Sequence, residues 1–237
     1  DAIQTNDGTV YGASYVNGKD GQALDFEKDN YDHVNVTNPE DLPTGQDPFS
    51  VTSWVKLESA PDGGVTGGHV VTYWGDADSS ESSGFKVYED RLQHYFYSND
   101  LNGDYNFSAG TWYHIGVTFN GSHRKLYVNG QKIAQDYALD NSGVNMAESK
   151  LSFGYEHARN TSHLDGVLDE VRLYHEAITQ SEMQELASTP TAKTAGSGYY
   201  VSSNHSVGNA KKAYTDLSLT DTNATVKWQG WDGSAWV

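Results

Sequence analysis

The feature that most constrains this chain is the alternation of apolar and polar residues over short segments that end at turn residues. In residues 49–57, one set of alternate positions holds Phe49, Val51, Ser53, Val55 and Leu57, and the other holds Thr52, Trp54 and Lys56. Residues 112–119 repeat the pattern, and Asn129-Gly130 follows residues 125–128 as a tight hairpin turn. A period of two places successive side chains on opposite faces of a β-strand. We therefore predict antiparallel strands that form a sandwich.

Composition excludes several classes of protein and site. The chain has no cysteine, so disulfides and thiolate metal sites are excluded, and a metal must be held by oxygen or imidazole. The formal net charge is −17, which repels phosphate backbones, and we expect no nucleic-acid binding. No apolar run approaches the roughly 20 residues of a membrane span, so we expect no membrane insertion. The acidic balance fits either an ordinary solvated surface or adaptation to high salt, and both interpretations stay open.

The chain divides into three parts. Residues 1–189 form one unit, which ends in a short helix because Thr179 and Glu182 have the spacing of a capping box. Residues 190–198 have the composition of a linker. Residues 199–237 hold three strand-like segments, and we expect them to begin a second small β-module. The first residue is not Met, and we expect a mature or trimmed product.

Four ordered segments carry a resemblance to a known family: residues 18–26 with the strand 32–36, residues 49–56, residues 110–115 with 126–130, and residues 165–174 running into the capped helix. Together they resemble the laminin G-like jelly-roll family within the concanavalin A-like lectin/glucanase superfamily. The resemblance implies an all-β fold, a two-sheet antiparallel jelly-roll sandwich with one short C-terminal helix, and frequent binding of sugars or cell surfaces. Residues 199–237 are similar to β-modules that follow such domains in haloarchaeal and archaeal-virus surface proteins.

One carboxylate is predicted to face the core. Asp169 alternates with Val171 and Leu173, and a buried lone carboxylate costs several kcal/mol. It must therefore accept backbone hydrogen bonds or ligate a cation, and both roles stay open. The resemblance implies a structural Ca²⁺ here, held by Asp169 with Asp20 of the early loop, and we add Asp165 as a candidate ligand.

A second metal candidate is the set Asp100, Asn102 and Asp104, which places oxygen ligands at every second position. Such spacing lets the side chains of a tight loop converge on Ca²⁺. Tyr105, however, stands where a calcium loop usually has Gly. The alternative interpretation is a polar hairpin loop.

Aromatic residues suggest a ligand-binding face. The candidates are Tyr73, Trp74, Tyr88, Tyr95, Tyr97 and Tyr105. Flat rings stack on the apolar faces of sugars, while polar neighbours hydrogen-bond the hydroxyls. The alternative is that these rings cover a half-buried sheet, where aromatic residues are common.

The sequence favours a non-enzymatic, extracellular glycan-binding or adhesion module, whose partner is a glycan or a glycosylated cell surface. We expect it on a cell or virion surface, as in the surface or fibre protein of a halophile. A structural module that binds protein partners, including copies of itself, is the alternative. An enzyme is disfavoured, because retaining glycosidases need two carboxylates about 5 Å apart. The neighbouring pairs Glu89-Asp90 and Asp169-Glu170 are predicted to point to opposite faces of a strand.

Overall fold

The computed structural model of the protein describes residues 7–37, 39–61, 67–76, 81–97, 99–138, 144–147 and 150–188. Within these residues the strands, in chain order, are β1 (Thr9–Tyr11), β2 (Ser14–Asn17), β3 (Gln22–Phe26), β4 (His33–Val36), β5 (Phe49–Leu57), β6 (His69–Gly75), β7 (Ser82–Tyr88), β8 (Arg91–Tyr95), β9 (Asp100–Asp104), β10 (Trp112–Phe119), β11 (His123–Val128), β12 (Gln131–Tyr137), β13 (Leu151–Phe153) and β14 (Gly166–Tyr174). A 3₁₀ turn, Lys28–Asn30, lies between β3 and β4, and the helix α1 spans Gln180–Ala187. The predicted linker and second module, residues 190–237, lie outside the described residues.

In the described part of the chain the strands form two antiparallel sheets of seven strands. The first sheet has the order β1-β4-β13-β6-β7-β8-β9, and the second has the order β12-β11-β10-β5-β14-β3-β2. Six of the twelve pairs of neighbouring strands are not consecutive in the chain, as expected when a chain crosses repeatedly between two sheets. The predicted all-β jelly-roll sandwich with a short helix is confirmed.

The main core lies between the sheets, and β5 shows why the alternating pattern predicts it. Phe49, Val51, Val55 and Leu57 are fully buried and belong to one apolar cluster. Burying an apolar side chain of this size stabilises the fold by about 1.5–3 kcal/mol. Trp54 lies outside that cluster, so the alternate positions of β5 form the outer face of the second sheet.

The hairpin between β11 and β12 also matches its prediction. Asn129 and Gly130 have φ angles of 49° and 75°, so both turn residues adopt the left-handed conformation that a tight two-residue turn requires. The Asn129 side chain accepts a hydrogen bond from the His114 backbone N–H at 3.0 Å. The turn is therefore fastened to β10 as well.

Helix α1 begins as predicted, at a capping box. The Glu182 N–H donates to Thr179 Oγ1 at 3.3 Å, and the Thr179 N–H donates to Glu182 Oε2 at 2.7 Å. Met183 is fully buried beside Gly116, where an added Cβ would lie 2.5 Å from the Met183 sulfur. The helix thus docks on the outer face of the second sheet. Among the described residues no helix is both long and apolar enough to cross a membrane.

A β-bulge in β14 corrects one step of the sequence reasoning. The register with β5 shifts between Asp169 and Arg172, and Glu170 has a φ of 52°. Asp169 is directly opposite Trp54, whereas Val171 and Leu173 pack against the main core. Asp169 therefore lies on the outer face of the second sheet, and strict alternation is wrong here because the bulge adds a residue.

Candidate ligand and cation sites

A segment that follows β13 covers the outer face of the first sheet. We call residues 155–163 the strap. Beneath it, Tyr73 and Tyr95 form a small buried cluster with Val70, separate from the main core. The Tyr95 hydroxyl donates to Glu156 Oε2 at 2.9 Å, and the His157 ring stands edge-on to Tyr73 at 4.9 Å. Two of the predicted sugar-stacking rings thus support the strap.

The strap is closed on itself. Glu156 and Thr161 form a two-residue antiparallel bridge, with N–H···O distances of 3.0 and 3.3 Å. Glu156 is 3% exposed, and its second carboxylate oxygen lies 3.5 Å from Arg159 Nε. The Arg159 guanidinium stacks 4.3 Å from the centre of the half-buried Tyr97 ring. The buried carboxylate therefore ties the strap to Tyr95 directly and, through Arg159, to Tyr97.

A pocket of about 400 Å³ lies where the strap meets the 3₁₀ turn, and we call it the strap pocket. Its lining consists of Lys28, Asp29, Gly68, Asn160, Thr161, Ser162 and His163. The Oγ1 atom of Thr161 is buried and has no hydrogen-bond partner. Asn160 and Ser162 have φ angles of 54° and 55°, so two lining residues hold the left-handed conformation. Strained backbone of this kind is common at ligand-binding loops.

An exposed aromatic ring stands at the strap pocket. Tyr31 is 62% exposed, and its ring packs edge-on against His163 at 5.1 Å. The pKa of His163 lies below its usual value, because of burial first and the nearby His33 second, although the Asp32 backbone and carboxylate act in the opposite direction. His163 is therefore a neutral imidazole at neutral pH.

The predicted ring Tyr88 also lies near the strap pocket. A Cβ added to Gly68 would lie 3.1 Å from the Tyr88 ring, so the two residues are neighbours. Lys86 Nζ and the Arg91 guanidinium lie 4.6 and 5.7 Å from the Tyr88 ring centre. Half-exposed Tyr88 is thus a second aromatic surface beside the pocket lining.

The remaining two predicted rings pack in the main core. Trp74 is fully buried, and its indole N–H donates to the Pro43 carbonyl at 3.2 Å. Tyr105 is half-buried and packs against Phe107 and Tyr113, with ring centres 5.0 and 5.7 Å away. The structure therefore separates the six predicted rings: Tyr88 and Tyr97 are half-exposed near the strap, and the other four are covered or packed.

Asp169 and Asp20 meet, but through the backbone of Asp20. Asp169 Oδ2 accepts the Asp20 N–H at 2.9 Å, and the Lys19 backbone also hydrogen-bonds the carboxylate. A Cβ added to Gly18 would lie 2.4 Å from the same oxygen. Burial raises the pKa of Asp169, and the two backbone hydrogen bonds oppose that rise. This geometry matches the hydrogen-bonding role, one of the two that the sequence left open, because the carboxylate anchors the loop between β2 and β3.

The structure does not bring Asp100, Asn102 and Asp104 to one point. They occupy alternate positions of the edge strand β9, opposite Tyr95, Gln93 and Arg91. Residues two apart on a strand are about 6.6 Å apart, so three such side chains lie in a row. Asn102 Oδ1 already accepts a hydrogen bond from Gln93 Nε2 at 2.9 Å.

A different group of carboxylates converges at the end of the second sheet. Asp25, Glu27 and Glu58 place one oxygen each within 4.8 Å of one another, and we call them the acidic trio. Asp165 lies close enough that its charge raises the pKa values of Glu27 and Glu58, after the larger effects of burial and of Asp25. One oxygen of Asp25, Oδ1, is buried without a hydrogen-bond partner. An oxygen-only donor set with an unsatisfied oxygen fits a hard divalent cation.

Sequence reasoning missed Tyr31, the strap pocket and the acidic trio. The trio joins the end of β3 to the end of β5, and the strap pocket joins the 3₁₀ turn to a loop more than 130 residues later. No local motif marks such contacts, because they depend on which strands pair. Asp165 was a metal candidate and lies beside the trio.

Comparisons with known proteins identify the fold. A profile of the concanavalin A-like lectin/glucanases superfamily matches residues 28–184. The binding domain of Paraclostridial Mosquitocidal Protein 1 is similar in structure, with a TM-score of 0.60, 19% identity, and coverage of 77% of this chain and 47% of that one. The botulinum neurotoxin serotype G binding domain has a TM-score of 0.58, 11% identity, and coverage of 77% and 46%.

A third similar structure is domain 4 of AbnA, an extracellular arabinanase of Geobacillus stearothermophilus, solved in complex with arabinotriose. Its TM-score is 0.60 at 18% identity, with coverage of 76% of this chain and 88% of that one. The chain spans about half the length of the toxin binding domains. No curated protein matches the chain in sequence.

Proposed function

We propose that this chain, which belongs to the concanavalin A-like lectin/glucanases superfamily, is a non-enzymatic glycan-binding module. In this proposal its ligand occupies the strap pocket. The observation that carries the proposal is the exposed Tyr31 ring beside a lining of amide, hydroxyl and imidazole groups. A sugar offers an apolar face to such a ring and hydroxyls to such a lining. The buried, unpartnered Thr161 Oγ1 is the kind of polar atom that a ligand hydroxyl satisfies.

The similar solved structures support binding rather than catalysis. Several are named as toxin binding domains, and domain 4 of AbnA was solved with arabinotriose. In our proposal the half-exposed Tyr88 and Tyr97 extend the surface along the strap. The partner is then a glycan or a glycosylated surface, and an extracellular position on a cell or virion, with adaptation to high salt, is part of the same proposal.

The first test is a glycan array followed by calorimetric titration of each hit with the whole chain. We expect Tyr31→Ala to weaken glycan binding at least ten-fold, since a sugar that stacks on an aromatic ring gains much of its binding free energy from that contact. Tyr137→Ala is the matched control, because Tyr137 is also exposed (46%) but lies on the edge strand β12 of the other sheet. An equal loss of affinity in both variants, or no loss of affinity in Tyr31→Ala, would contradict the assignment of the strap pocket as the glycan site.

We also propose that the acidic trio binds a structural Ca²⁺. The ion would be held by Asp25, Glu27 and Glu58, with Asp165 nearby, and would offset the mutual repulsion of these carboxylates. Millimolar Ca²⁺ should raise the melting temperature of the chain, and a chelator should reverse the rise. Glu27→Gln with Glu58→Gln should abolish the shift. A melting temperature that does not change when Ca²⁺ is added would contradict the proposal.

Hydrolysis is the second candidate function, and the same trio is the observation that favours it. Its oxygens lie within 4.8 Å of one another, close to the roughly 5 Å separation of the carboxyl groups in retaining glycosidases. Binding comes first because the strap pocket, and not the trio, carries the aromatic ring and the hydroxyl-binding groups. Release of reducing ends by the native chain, lost in Glu58→Gln, would reverse this order.

An assembly module that binds protein partners, including copies of itself, remains the alternative from a different class. It predicts that Tyr31 becomes buried between chains. Analytical ultracentrifugation of the native chain and Tyr31→Ala separates the two: a native oligomer that dissociates in the variant favours assembly, and a monomer in both favours glycan binding.

A further inference from the structure

Five aromatic rings form a continuous row, and the exposed ring beside the strap pocket is one end of it. We call these residues the ring row; in spatial order they are Tyr31, His163, Tyr155, His33 and Tyr11. Successive ring centres lie 5.1, 5.3, 4.4 and 4.7 Å apart. The row therefore leads from the strap pocket to β1, at the edge of the first sheet.

The far end of the ring row lies on the side of the sheet that faces away from the core. In β4, Val34 and Val36 belong to the main core, and His33 alternates with them. Tyr11 is directly opposite His33 in β1, and directly opposite side chains share one face of an antiparallel pair. The two rings stack at an interplanar angle of 16°. His33 thus covers one face of the Tyr11 ring.

Both ends of the ring row are open to solvent. Tyr31 is 62% exposed and Tyr11 is 48% exposed, whereas Tyr155, in the middle of the row, is 5% exposed. Among the described residues four large hydrophobic side chains are exposed, and two of them are the ends of this row. The row therefore offers two separate stacking surfaces that are joined by packed rings.

Hydrogen bonds fix the row in place. The Tyr155 hydroxyl donates to Asn35 Oδ1 and accepts from Lys150 Nζ, each at 2.8 Å. His33 Nδ1 donates to the Tyr31 carbonyl at 2.7 Å. The relative position of the two exposed rings is therefore set before a ligand binds, which lowers the ordering cost of binding to both.

We propose that Tyr11 is a second sugar subsite, and that the ligand is an oligosaccharide with one unit in the strap pocket and another stacked on Tyr11. This inference rests on the proposed glycan-binding function and adds the length of the ligand. The two end rings contact different histidines, and three rings separate them along the row, so one sugar unit does not contact both. Once the first unit is bound, the second contact is intramolecular and adds to the affinity.

The test measures affinity as a function of ligand length. Arabino-, cello- and galacto-oligosaccharides, together with the homologues of every hit on the glycan array, are titrated into the whole chain. For a sugar that binds, we expect the affinity to rise at least ten-fold from the shortest member that binds to the member that contacts both rings, and then to level off. An affinity that does not depend on length would overturn this inference and leave the glycan-binding function standing.

Variants of the ring at the far end make the test specific. Tyr11→Ala should abolish the rise and leave the affinity for the shortest member unchanged, which also shows that the variant is folded. Tyr11→Phe keeps the ring and should bind like the native chain. Tyr15→Ala is the matched control and should keep the full rise, because Tyr15 is 68% exposed on β2, the edge strand of the other sheet.

The remaining outcomes separate the inference from the function on which it rests. A Tyr11→Ala variant that binds every member like the native chain would overturn the second subsite. Equal weakening of short and long members would also overturn it, because Tyr11 would then support the strap pocket rather than contact a sugar. Failure of the array and of every series to bind would overturn the proposed function, and the inference with it.

Discussion

At the scale of single residues, Arg124 is a buried cation that needs several hydrogen-bond partners. It is fully buried, yet it donates to Asp136 Oδ2 at 2.5 Å, to the Asn99 carbonyl at 2.9 Å and to His94 Nδ1 at 3.3 Å. Because His94 Nδ1 accepts from a guanidinium, its Nε2 carries the proton and donates to Ser83 Oγ at 3.0 Å. One side chain thus fixes the tautomer of another.

The first prediction concerns this network. Arg124→Ala should lower the free energy of unfolding by about 3–5 kcal/mol, because it leaves the partners of a buried charge unpaired. Arg91→Ala is the control, since the side chains of its ion pair with Glu89 are 35% and 41% exposed and the pair should contribute at most about 1 kcal/mol. Urea denaturation measures both values, and equal losses would contradict the argument.

Individual residues also show how far the sequence leads. The alternation of β8 predicts that His94 lies on the core side with Leu92 and Phe96, and His94 is indeed fully buried. Tyr31 has no such signal: it follows a 3₁₀ turn and has a φ of 61°, so its exposed position depends on the turn rather than on a periodic pattern. Its partner His163 comes from a segment that only the sheet topology brings near.

At the scale of elements, the strap is the part whose order matters most for binding. The hydrogen bond from the Tyr95 hydroxyl to Glu156 holds one end of the strap, and Glu156 in turn pairs with Thr161. Thr161 and its neighbours Asn160 and Ser162 line the strap pocket. We predict that Tyr95→Phe weakens glycan binding about ten-fold, although Tyr95 does not line the pocket. The reason is that the loosened strap must be ordered again when the ligand binds.

The prediction for Tyr95→Phe needs a measurement that distinguishes a loosened strap from a general loss of stability. Hydrogen exchange should accelerate at the Glu156 and Thr161 amides in Tyr95→Phe, and binding should weaken at temperatures far below unfolding. Tyr113→Phe is the matched control, because the Tyr113 hydroxyl accepts a hydrogen bond from the Ser108 N–H in another part of the fold. Similar loss of affinity in both variants would mean that the strap has no special role.

Elements differ in how well local patterns predict them. The capping box of α1 and the Asn129-Gly130 turn are complete within a few residues, so the sequence predicts both. The bulge in β14 is not marked by any local motif, because the extra residue is accommodated by the pairing of β14 with β5. That one residue reverses the side on which Asp169 lies.

At the scale of the whole molecule, buried histidines link stability to pH. Burial, aided by the charges of Arg172 and Lys150 respectively, lowers the pKa values of His114 and His157 to about 4. Burial and Arg124 hold the pKa of His94 well below its usual value. Folding therefore keeps three imidazoles neutral that the unfolded chain protonates near pH 6.5.

The sign of the pH effect follows from proton counts. Below about pH 6.5 the unfolded chain binds more protons than the folded chain, so the free energy of unfolding falls as the pH falls towards 4. Burial raises the pKa values of carboxyl groups such as Glu58 and Asp169, and these groups act in the opposite direction. The reference pKa values of carboxyl groups, however, lie roughly 2 to 3 units below that of histidine. The histidines therefore dominate between pH 7 and 5.5.

We predict that the free energy of unfolding drops by about 1 kcal/mol for each of these three histidines between pH 7 and 5.5, and that His163, whose pKa burial also lowers, adds to the drop. Urea denaturation at a series of pH values measures the drop. His114→Gln should remove about 1 kcal/mol of the drop, whatever the variant's stability at pH 7, because that residue no longer takes up a proton on unfolding. The same substitution at His175, whose side chain is 48% exposed, is the control and should leave the slope intact. A pH dependence that is identical in the native chain and His114→Gln would show that the buried imidazoles do not set the acid limit of this fold.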